Sequence, residues 1–278
     1  MPELPEIQAH AERLGAAYAG RSLERFTPLA FTALKTAFPE PDAAYGHALV
    51  AVGRRGKHLL LDFGVVTFVV HLMQGGRLKP DEKQSLKPRN GQARWRFDDG
   101  RALLLTEAGS ERKAGVWVVD GAPEKQAPLL GLGPDADQVD QAALHALLRE
   151  HGMRLHGFLR DQHLVAGLGR LLANEICHRA RLSPFASTAK LDDVETRRLL
   201  TAMHECIAEG IAYERNLEEM SKSADRPAQV HHRTGESCPV CGDTVRAVEY
   251  VRYSVAYCPT CQTGGKILAD NTTSKFLK

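Results

Sequence analysis

The stretch RRGKHLLLDFGVVTFVVHLMQGGRL, residues 54–78, decides the fold class because its apolar runs have the length and composition of β-strands. Residues 58–63 and 65–71 within it are rich in Val, Leu and Phe, and both are predicted as strands. Further strands are predicted at residues 48–52, 93–97 and 102–105, and Asp99-Gly100 between the last two is a hairpin signal. This much β-structure before any long helix predicts a β-sandwich or a barrel.

Helical spacing of apolar residues appears on both sides of the predicted strands. Residues 6–20 are predicted as a short helix because Ile7, Ala11 and Leu14 recur at helical spacing. Beyond the strands, helices are predicted at residues 141–150, 169–179 and 194–214. We therefore expect an α+β chain in four parts: an N-terminal sandwich or barrel domain at 1–123, a linker at 124–140, a helical domain at 141–221 and a hairpin module at 236–278.

Composition limits the classes of function. With 278 residues, 43% hydrophobic and 25% charged, the chain has the balance of a soluble globular protein and room for two ordinary domains. The net charge is only +2, so an argument for nucleic-acid binding must depend on where the cations lie. We find neither an apolar run of about 20 residues nor the basic and apolar start of a signal peptide, so we expect a cytoplasmic, nucleoid-associated monomer without a membrane partner.

Four of the six cysteines form two pairs with metal-binding spacing: Cys238, Cys241, Cys258 and Cys261. In a reducing compartment this spacing favours a metal over disulfides, although two disulfides or four unrelated thiols is the alternative. Strands predicted at residues 245–250 and 253–257 would join the pairs as a β-hairpin. Four thiolates complete a tetrahedral site and leave no open position, so we expect one structural Zn²⁺.

The N-terminal sequence MPELPE, residues 1–6, is the most specific signal for chemistry. Removal of Met1 would expose the secondary amine of Pro2, and an α-amino group with a pKa of about 8 is partly unprotonated, and so nucleophilic, at neutral pH. Glu3 and Glu6 would lie within one helical turn of this amine, where carboxylates can transfer protons. Alternatively, Met-Pro is a common start, and acidic residues near a helix N-terminus simply complement the helix dipole.

Five segments in order resemble the formamidopyrimidine-DNA glycosylase and endonuclease VIII family along nearly the whole chain. They are MPELPE from residue 1, RRGKHLLLDF from 54, HLMQGGRL from 71, LVAGLGRLLANE from 164, and HHRTGESCPVCG with CPTCQ in the cysteine module. The resemblance implies a β-sandwich that carries the catalytic N-terminus, then a helix–two-turn–helix domain with a zinc hairpin, with DNA in the cleft between the two halves. It also implies an enzyme that flips a damaged base out of double-stranded DNA, releases it and cleaves the abasic site by β,δ-elimination.

The resemblance assigns roles to five residues. Pro2 matches the nucleophile, Glu3 the adjacent catalytic acid and Glu6 a second acidic position. Lys57 matches a lysine that holds a phosphate beside the lesion, and a cation at a strand start suits that contact. His71 matches a histidine that precedes the void-filling loop. A solvated strand end is the alternative for Lys57, and a packed strand-end histidine is the alternative for His71.

Two DNA-contacting loops depart from the family pattern. Well-known members fill the gap left by the flipped base with a Met from the first loop and with an Arg and a Phe from the second. Here an alignment without gaps places Gln74 at the Met position, with Met73 one residue earlier, and the second loop offers Arg112 but no Phe. The sequence therefore leaves open which residues fill the void.

Two further departures concern contacts to the DNA backbone. After Gly-x-Gly the family usually has Asn, where this chain has Arg170, and an Arg can still bind a phosphate at a helix N-terminus. The zinc hairpin of the family usually carries an Arg at its tip, but counting back from Cys258 reaches Tyr253, with Arg252 as its neighbour. We expect one of these two to face DNA and favour Arg252 because of its charge.

The leading interpretation is a bifunctional DNA glycosylase and abasic-site lyase that acts through Pro2 and needs no redox or nucleotide cofactor. A catalytically weak protein of the same fold that binds damaged DNA is the alternative. A zinc-ribbon transcription factor would leave MPELPE and the first 130 residues unexplained. The sequence does not indicate which lesion is preferred.

Overall fold

A computed structural model describes residues 1–109, 112–222, 225–251 and 253–268. The chain divides into two compact units, one formed by Met1–Leu132 with Glu218–Met220 and the other by Gly133–Leu217 with Ser221–Lys278. The boundary at residue 132 falls within the stretch predicted as a linker. In the part of the chain that is described, no helix combines the length and the apolar character needed to cross a bilayer.

The first unit is a β-sandwich preceded by a helix, α1 (Leu4–Tyr18). Its strands are β1 (Leu23–Pro28), β2 (Ala51–Arg55), β3 (His58–Asp62), β4 (Thr67–His71), β5 (Gly76–Pro80), β6 (Gly91–Phe97), β7 (Ala102–Glu107) and β8 (Gly115–Val119). They form two antiparallel four-stranded sheets, in the orders β1-β6-β7-β5 and β2-β3-β4-β8. The predicted sandwich is confirmed, although β2 begins three residues later than predicted.

Aromatic residues from both sheets form the core of the sandwich. Phe68 of β4 contacts Trp95 of β6 with ring centroids 5.9 Å apart, and both side chains are fully buried. The buried face of α1, with Ile7 and Leu14, belongs to the same core. Full burial of such a side chain contributes about 1.5–3 kcal/mol, so this face fixes α1, and with it the N-terminal residues, on the sandwich.

The second unit combines helices with a β-hairpin. Its helices are α2 (Gln141–Glu150), α3 (Leu155–Arg160), α4 (Arg170–Arg179), α5 (Asp193–Arg215) and α6 (Pro259–Thr263), and its strands are β9 (Arg246–Tyr250) and β10 (Tyr253–Tyr257). Asp140 caps α2 by accepting the Ala143 N–H at 2.8 Å, and Asp192 with Glu195 forms a capping box on α5. The predicted helices and hairpin are present, and α3 and α6 are additional short helices.

Candidate functional site

The N-terminal residues are held by the first turn of α1. Pro2 is buried, and Glu3 and Glu6 are 5% and 1% exposed. The two acids form a reciprocal capping box, in which the Glu3 N–H donates to Glu6 Oε2 at 3.0 Å while the Glu3 side chain accepts from the Glu6 backbone. Two buried carboxylates therefore lie within one helical turn of Pro2. The same geometry also gives both acids a structural role.

The turn between β2 and β3 places Lys57 beside two histidines. Gly56 has a φ of +54°, a conformation that glycine adopts without strain, and the Lys57 that follows it is 8% exposed. Burial is the main cause that lowers the pKa of His71 to about 4, and the positive charge of the nearby Lys57 is the second cause. The structure thus places Lys57, which was predicted to hold a phosphate, near His71, which was predicted to precede the void-filling loop.

His58, which the sequence did not single out, pairs with His71 across β3 and β4. Their ring centroids lie 4.6 Å apart. Burial, and then the charge of His71, lowers the pKa of His58 to about 3, so both rings are neutral at neutral pH. Because His71 Nδ1 accepts the Met73 N–H at 3.3 Å, the ring proton of His71 resides on Nε2. His71 can therefore donate one neutral hydrogen bond to an anion.

The two loops predicted to contact DNA are adjacent in the first unit. The Ala108 N–H donates to the Gly75 carbonyl at 3.2 Å, and a Cβ on Gly75 would clash with the Ala108 carbonyl oxygen. Glu107 is buried and accepts the Ala114 N–H at 2.6 Å, which closes the base of the second loop. These contacts fix both loops by close approach of their backbones.

The side chains predicted for these loops differ in their surroundings. Met73 has a φ of +53° and packs against the sandwich core, whereas Gln74 is exposed. Arg112 is also exposed and has a φ of +44°. Positive φ in a non-glycine residue costs energy and is often found at binding sites. Ser110 and Glu111 of the second loop lie outside the described residues.

The turns between α3 and α4 are held by one side chain. Gln162 Nε2 donates to the Leu168 carbonyl at 2.9 Å, and Gln162 Oε1 accepts the Gly167 N–H at 3.0 Å. Gly169 is the N-cap of α4, and Arg170 is its first residue, as the sequence predicted. This is the helix N-terminus at which we predict a phosphate contact.

Glu175 of α4 binds the chain that leads into the cysteine module. It is 8% exposed, and its carboxylate accepts the backbone N–H groups of Gln229, Val230 and His231 at 2.7, 3.1 and 2.9 Å. Charge-assisted bonds of this kind are the strong ones in proteins. Glu175 therefore fixes the start of the hairpin module on α4.

The four cysteines predicted as metal ligands come together at the base of the hairpin. The sulfurs of Cys238 and Cys261 lie 3.9 Å apart, and those of Cys241 and Cys258 lie 3.4 Å apart. Tetrahedral geometry with Zn–S bonds of about 2.3 Å separates two sulfurs by about 3.8 Å, so the cluster fits zinc. Soft thiolate donors are also those that zinc prefers.

His178 of α4 also reaches the cysteine cluster. Its Nε2 lies 3.3 Å from Cys238 Sγ, and its ligand-capable nitrogen is within 4.8 Å of the sulfurs of Cys238, Cys258 and Cys261. The cluster can therefore hold a metal with five candidate groups for four positions. A ring N–H that donates to a bound thiolate is the usual outer-shell arrangement.

The tip of the hairpin is only partly described. Tyr253 begins β10 and pairs with Tyr250 at the end of β9. Arg252, which we favoured as the DNA contact of the hairpin, lies outside the described residues.

Comparison with known proteins matches both units of this chain. The formamidopyrimidine-DNA glycosylase N-terminal domain matches residues 1–117, and the formamidopyrimidine-DNA glycosylase H2TH domain matches residues 130–221. A formamidopyrimidine-DNA glycosylase of Thiobacillus denitrificans is 31% identical over 273 residues, which cover 94% of this chain and 100% of that protein. The chain belongs to the formamidopyrimidine-DNA glycosylase family. The predicted family is confirmed, and with it the general class, a DNA repair glycosylase.

Other members of the family resemble the chain in sequence or in fold. A Mycobacterium tuberculosis protein described as an uncharacterized formamidopyrimidine-DNA glycosylase-like protein is 43% identical over 164 residues, 57% of this chain and 99% of that protein. The crystal structure of MutM (Fpg) from Thermus thermophilus superposes with a TM-score of 0.81 at 29% identity and covers 96% of this chain and 100% of that one. Lactococcus lactis formamidopyrimidine-DNA glycosylase bound to DNA containing an abasic site shares the fold, with a TM-score of 0.80 at 20% identity and coverage of 94% and 99%.

Three supporting residues of this family member were missed from the sequence alone: Gln162, Glu175 and His178. Each one makes its key contact with backbone or sulfur atoms of another segment. Glu175 and His178 lie in or beside the quoted segment that follows Leu164, but α4 also contains Arg170, Asn174 and Arg179, so residue type alone did not single them out.

Proposed function

We propose that the chain is a bifunctional DNA glycosylase and abasic-site lyase that acts on double-stranded DNA containing a damaged base or an abasic site. Family membership supports the glycosylase class. The observation that supports the lyase mechanism through Pro2 is the buried Glu3–Glu6 capping box beside this residue. A buried carboxylate within one turn of an amine is suited to proton transfer in a site with little water.

In this proposal, the lone pair of the Pro2 amine attacks C1′ of the damaged nucleotide. The C1′–base bond breaks with its electrons going to the base, and ring opening of the sugar gives a Schiff base between C1′ and the proline nitrogen. Glu3 transfers the protons that ring opening requires, and Glu6 holds the Glu3 backbone in place. Loss of a C2′ proton then permits β-elimination at the 3′ oxygen, and δ-elimination at the 5′ oxygen follows.

Contacts to the DNA backbone and to the void are assigned to the other predicted residues. Lys57 and His71 supply a charged and a neutral donor to one phosphate, which their proximity supports. We assign the void left by the flipped base to Gln74, because Gln74 is exposed whereas Met73 packs against the core. We assign Arg112 as the DNA contact of the second loop.

A structural zinc ion completes the proposal. Cys238, Cys241, Cys258 and Cys261 would hold it as four thiolates, with His178 donating to Cys238 from α4. With four protein ligands the metal would supply folding energy to the hairpin and would take no part in the chemistry.

A damaged-DNA-binding protein of the same fold, with weak or no catalysis, is the second candidate. The observation that favours it is again the capping box, because reciprocal capping explains Glu3 and Glu6 without any reaction. The two candidates differ in whether Pro2 becomes covalently attached to DNA.

Borohydride trapping distinguishes the two candidates. We expect that protein lacking Met1, incubated with a duplex containing one abasic site and reduced with borohydride, forms a protein–DNA adduct with a stoichiometry near one. Mass spectrometry of the digested adduct should place the sugar on the peptide that begins with Pro2. If the protein binds the same duplex but forms no adduct, it is better described as a damaged-DNA-binding protein.

A second prediction concerns Arg170 at the start of α4. If Arg170 binds a phosphate, Arg170→Ala should weaken binding to every duplex by about the same factor and reduce the slope of log affinity against log salt by about 1. Arg170→Asn should recover part of the affinity but not the slope, because it restores hydrogen bonding without the charge. Salt titrations on one abasic-analogue duplex measure both quantities. A slope that stays at the wild-type value would show that this residue does not contact the backbone.

A further inference from the structure

Three aromatic rings and an arginine form a layered cluster beside the hairpin tip in the second unit. The rings of Tyr250 and Tyr253 are stacked with centroids 4.6 Å apart and planes 10° apart. The His156 ring lies parallel to Tyr253, with centroids 6.4 Å apart and planes 10° apart. The guanidinium carbon of Arg160 lies 4.5 Å from the centroid of the Tyr253 ring.

The position of Arg160 leaves its hydrogen-bonding capacity available. It ends α3 and is half-buried, and within the described part of the chain no carboxylate lies within salt-bridge distance of it. A cation–π contact uses the face of the guanidinium, while its N–H groups point outward in the plane. Such a contact also restricts the rotamers of a long side chain, which reduces the entropy lost when the guanidinium binds a ligand.

The charges of Arg160 and Arg170 both act on the buried His156. Burial is the main cause that lowers the pKa of His156 to about 3, and the charges of Arg160 and, more weakly, of Arg170 act in the same direction. His156 is therefore neutral at neutral pH and adds no charge of its own. Arg160 ends α3 and Arg170 begins α4, and a guanidinium can bind a phosphate through two parallel N–H bonds.

We propose that Arg160 binds a phosphate of the DNA backbone and that Tyr253 is the positioning residue that holds the Arg160 guanidinium for this contact. The proposal rests on the proposed function, because it takes DNA as the partner. In this arrangement the cation at the hairpin tip comes from α3, and the hairpin supplies the aromatic surface on which it lies. The zinc module and the helix–two-turn–helix segment would then bind the backbone as one unit.

The first experiment measures binding to an uncleavable abasic-analogue duplex by fluorescence anisotropy at salt concentrations from about 50 to 200 mM. Arg160→Ala should weaken binding about tenfold, as expected for the loss of hydrogen bonds from a charged donor, and reduce the salt slope by about 1. Arg160→Lys should keep the slope and lose only part of the affinity. Arg96→Ala is the matched control, because Arg96 forms a bidentate ion pair with Glu24 and should change neither quantity.

The second experiment tests the role of Tyr253 with a double-mutant cycle. Tyr253→Leu should weaken binding severalfold at an unchanged zinc content, which shows that the hairpin remains folded. The double variant Arg160→Ala with Tyr253→Leu should bind no more weakly than Arg160→Ala alone, because Tyr253 acts through the arginine.

The outcomes separate this inference from the proposed function. If wild-type protein binds the duplex and Arg160→Ala leaves affinity and slope unchanged, the phosphate contact is overturned while the function stands. Multiplicative losses in the double variant would overturn the positioning role, since Tyr253 would then contact DNA by itself. If wild-type protein binds no damaged duplex, the proposed function fails together with this inference.

Discussion

A protein with additional residues ahead of Pro2 should lose at least about a thousandfold of its base-excision and strand-cleavage rates, a loss of the size expected for removing a nucleophile. An extension converts the proline amine into an amide, whose nitrogen lone pair is delocalised and can form no Schiff base. The rates are measured under single-turnover conditions on a duplex with one lesion. The same tag at the C-terminus is the matched control and should leave the rates unchanged.

Two further variants show that the loss arises from the amine itself. Cleavage of the N-terminal tag at the bond before Pro2 should restore activity, which excludes damage to α1 as the cause. Pro2→Gly replaces the secondary amine with a primary α-amino group, which can also form a Schiff base, and should retain weak activity. A tagged protein that is as active as the untagged one would rule out Pro2 as the nucleophile, whatever the trapping experiment shows.

The position of the acids beside Pro2 could be predicted from the sequence, but their geometry could not. Glu3 and Glu6 have the spacing of a capping box, and the sequence could only offer dipole compensation or proton transfer as roles. The structure adds that both carboxylates are buried and that each accepts a hydrogen bond from the backbone N–H of the other residue. That burial comes from packing of α1 on the sandwich, which is a tertiary property.

The strands that the sequence predicted well are those at the centre of each sheet. β3, β4, β6 and β7 have neighbours on both sides, and their burial requires the apolar runs from which they were predicted. The edge strands were missed or displaced: β1 and β5 both carry charged residues and a proline, and β2 was predicted three residues early. An edge strand pairs on one side only, so its sequence is less constrained. β8 was missed as well, although its apolar run GVWVV was a usable signal.

The candidate site shows the same division between local and long-range information. Lys57, His71 and Arg170 lie next to glycines or at element boundaries that the sequence marks, so their positions could be predicted. The contacts that hold the hairpin on α4 could not be predicted, because Glu175 and His178 contact segments more than 50 residues away. Similarly, Arg160 gains its significance only through Tyr253, which is more than 90 residues further along the chain.

Removal of one cysteine ligand should unfold the hairpin module and release its zinc. Binding of zinc supplies about 10–16 kcal/mol to comparable small modules, more than such a short hairpin can replace by packing. We expect one zinc per wild-type protein by elemental analysis and none in Cys258→Ser, with rapid amide exchange across β9 and β10. Cys206→Ser is the matched control, because Cys206 is a buried thiol outside the cluster and its loss should leave the zinc content unchanged.

The identity of the four metal ligands depends on His178, because this residue is a fifth group that could bind the metal. If the four thiolates are the ligands, Cys241→Ser should lose zinc, while His178→Phe should keep one zinc and release it to a chelator about 10–100-fold faster, as is typical when an outer-shell hydrogen bond is removed. The Nε2–Sγ distance of 3.3 Å is that of a hydrogen bond to Cys238, which favours this outcome. If instead Cys241→Ser keeps its zinc and His178→Phe loses it, the ligands are three cysteines and His178. In that case the metal would join α4 directly to the hairpin, and the four-cysteine assignment would be wrong.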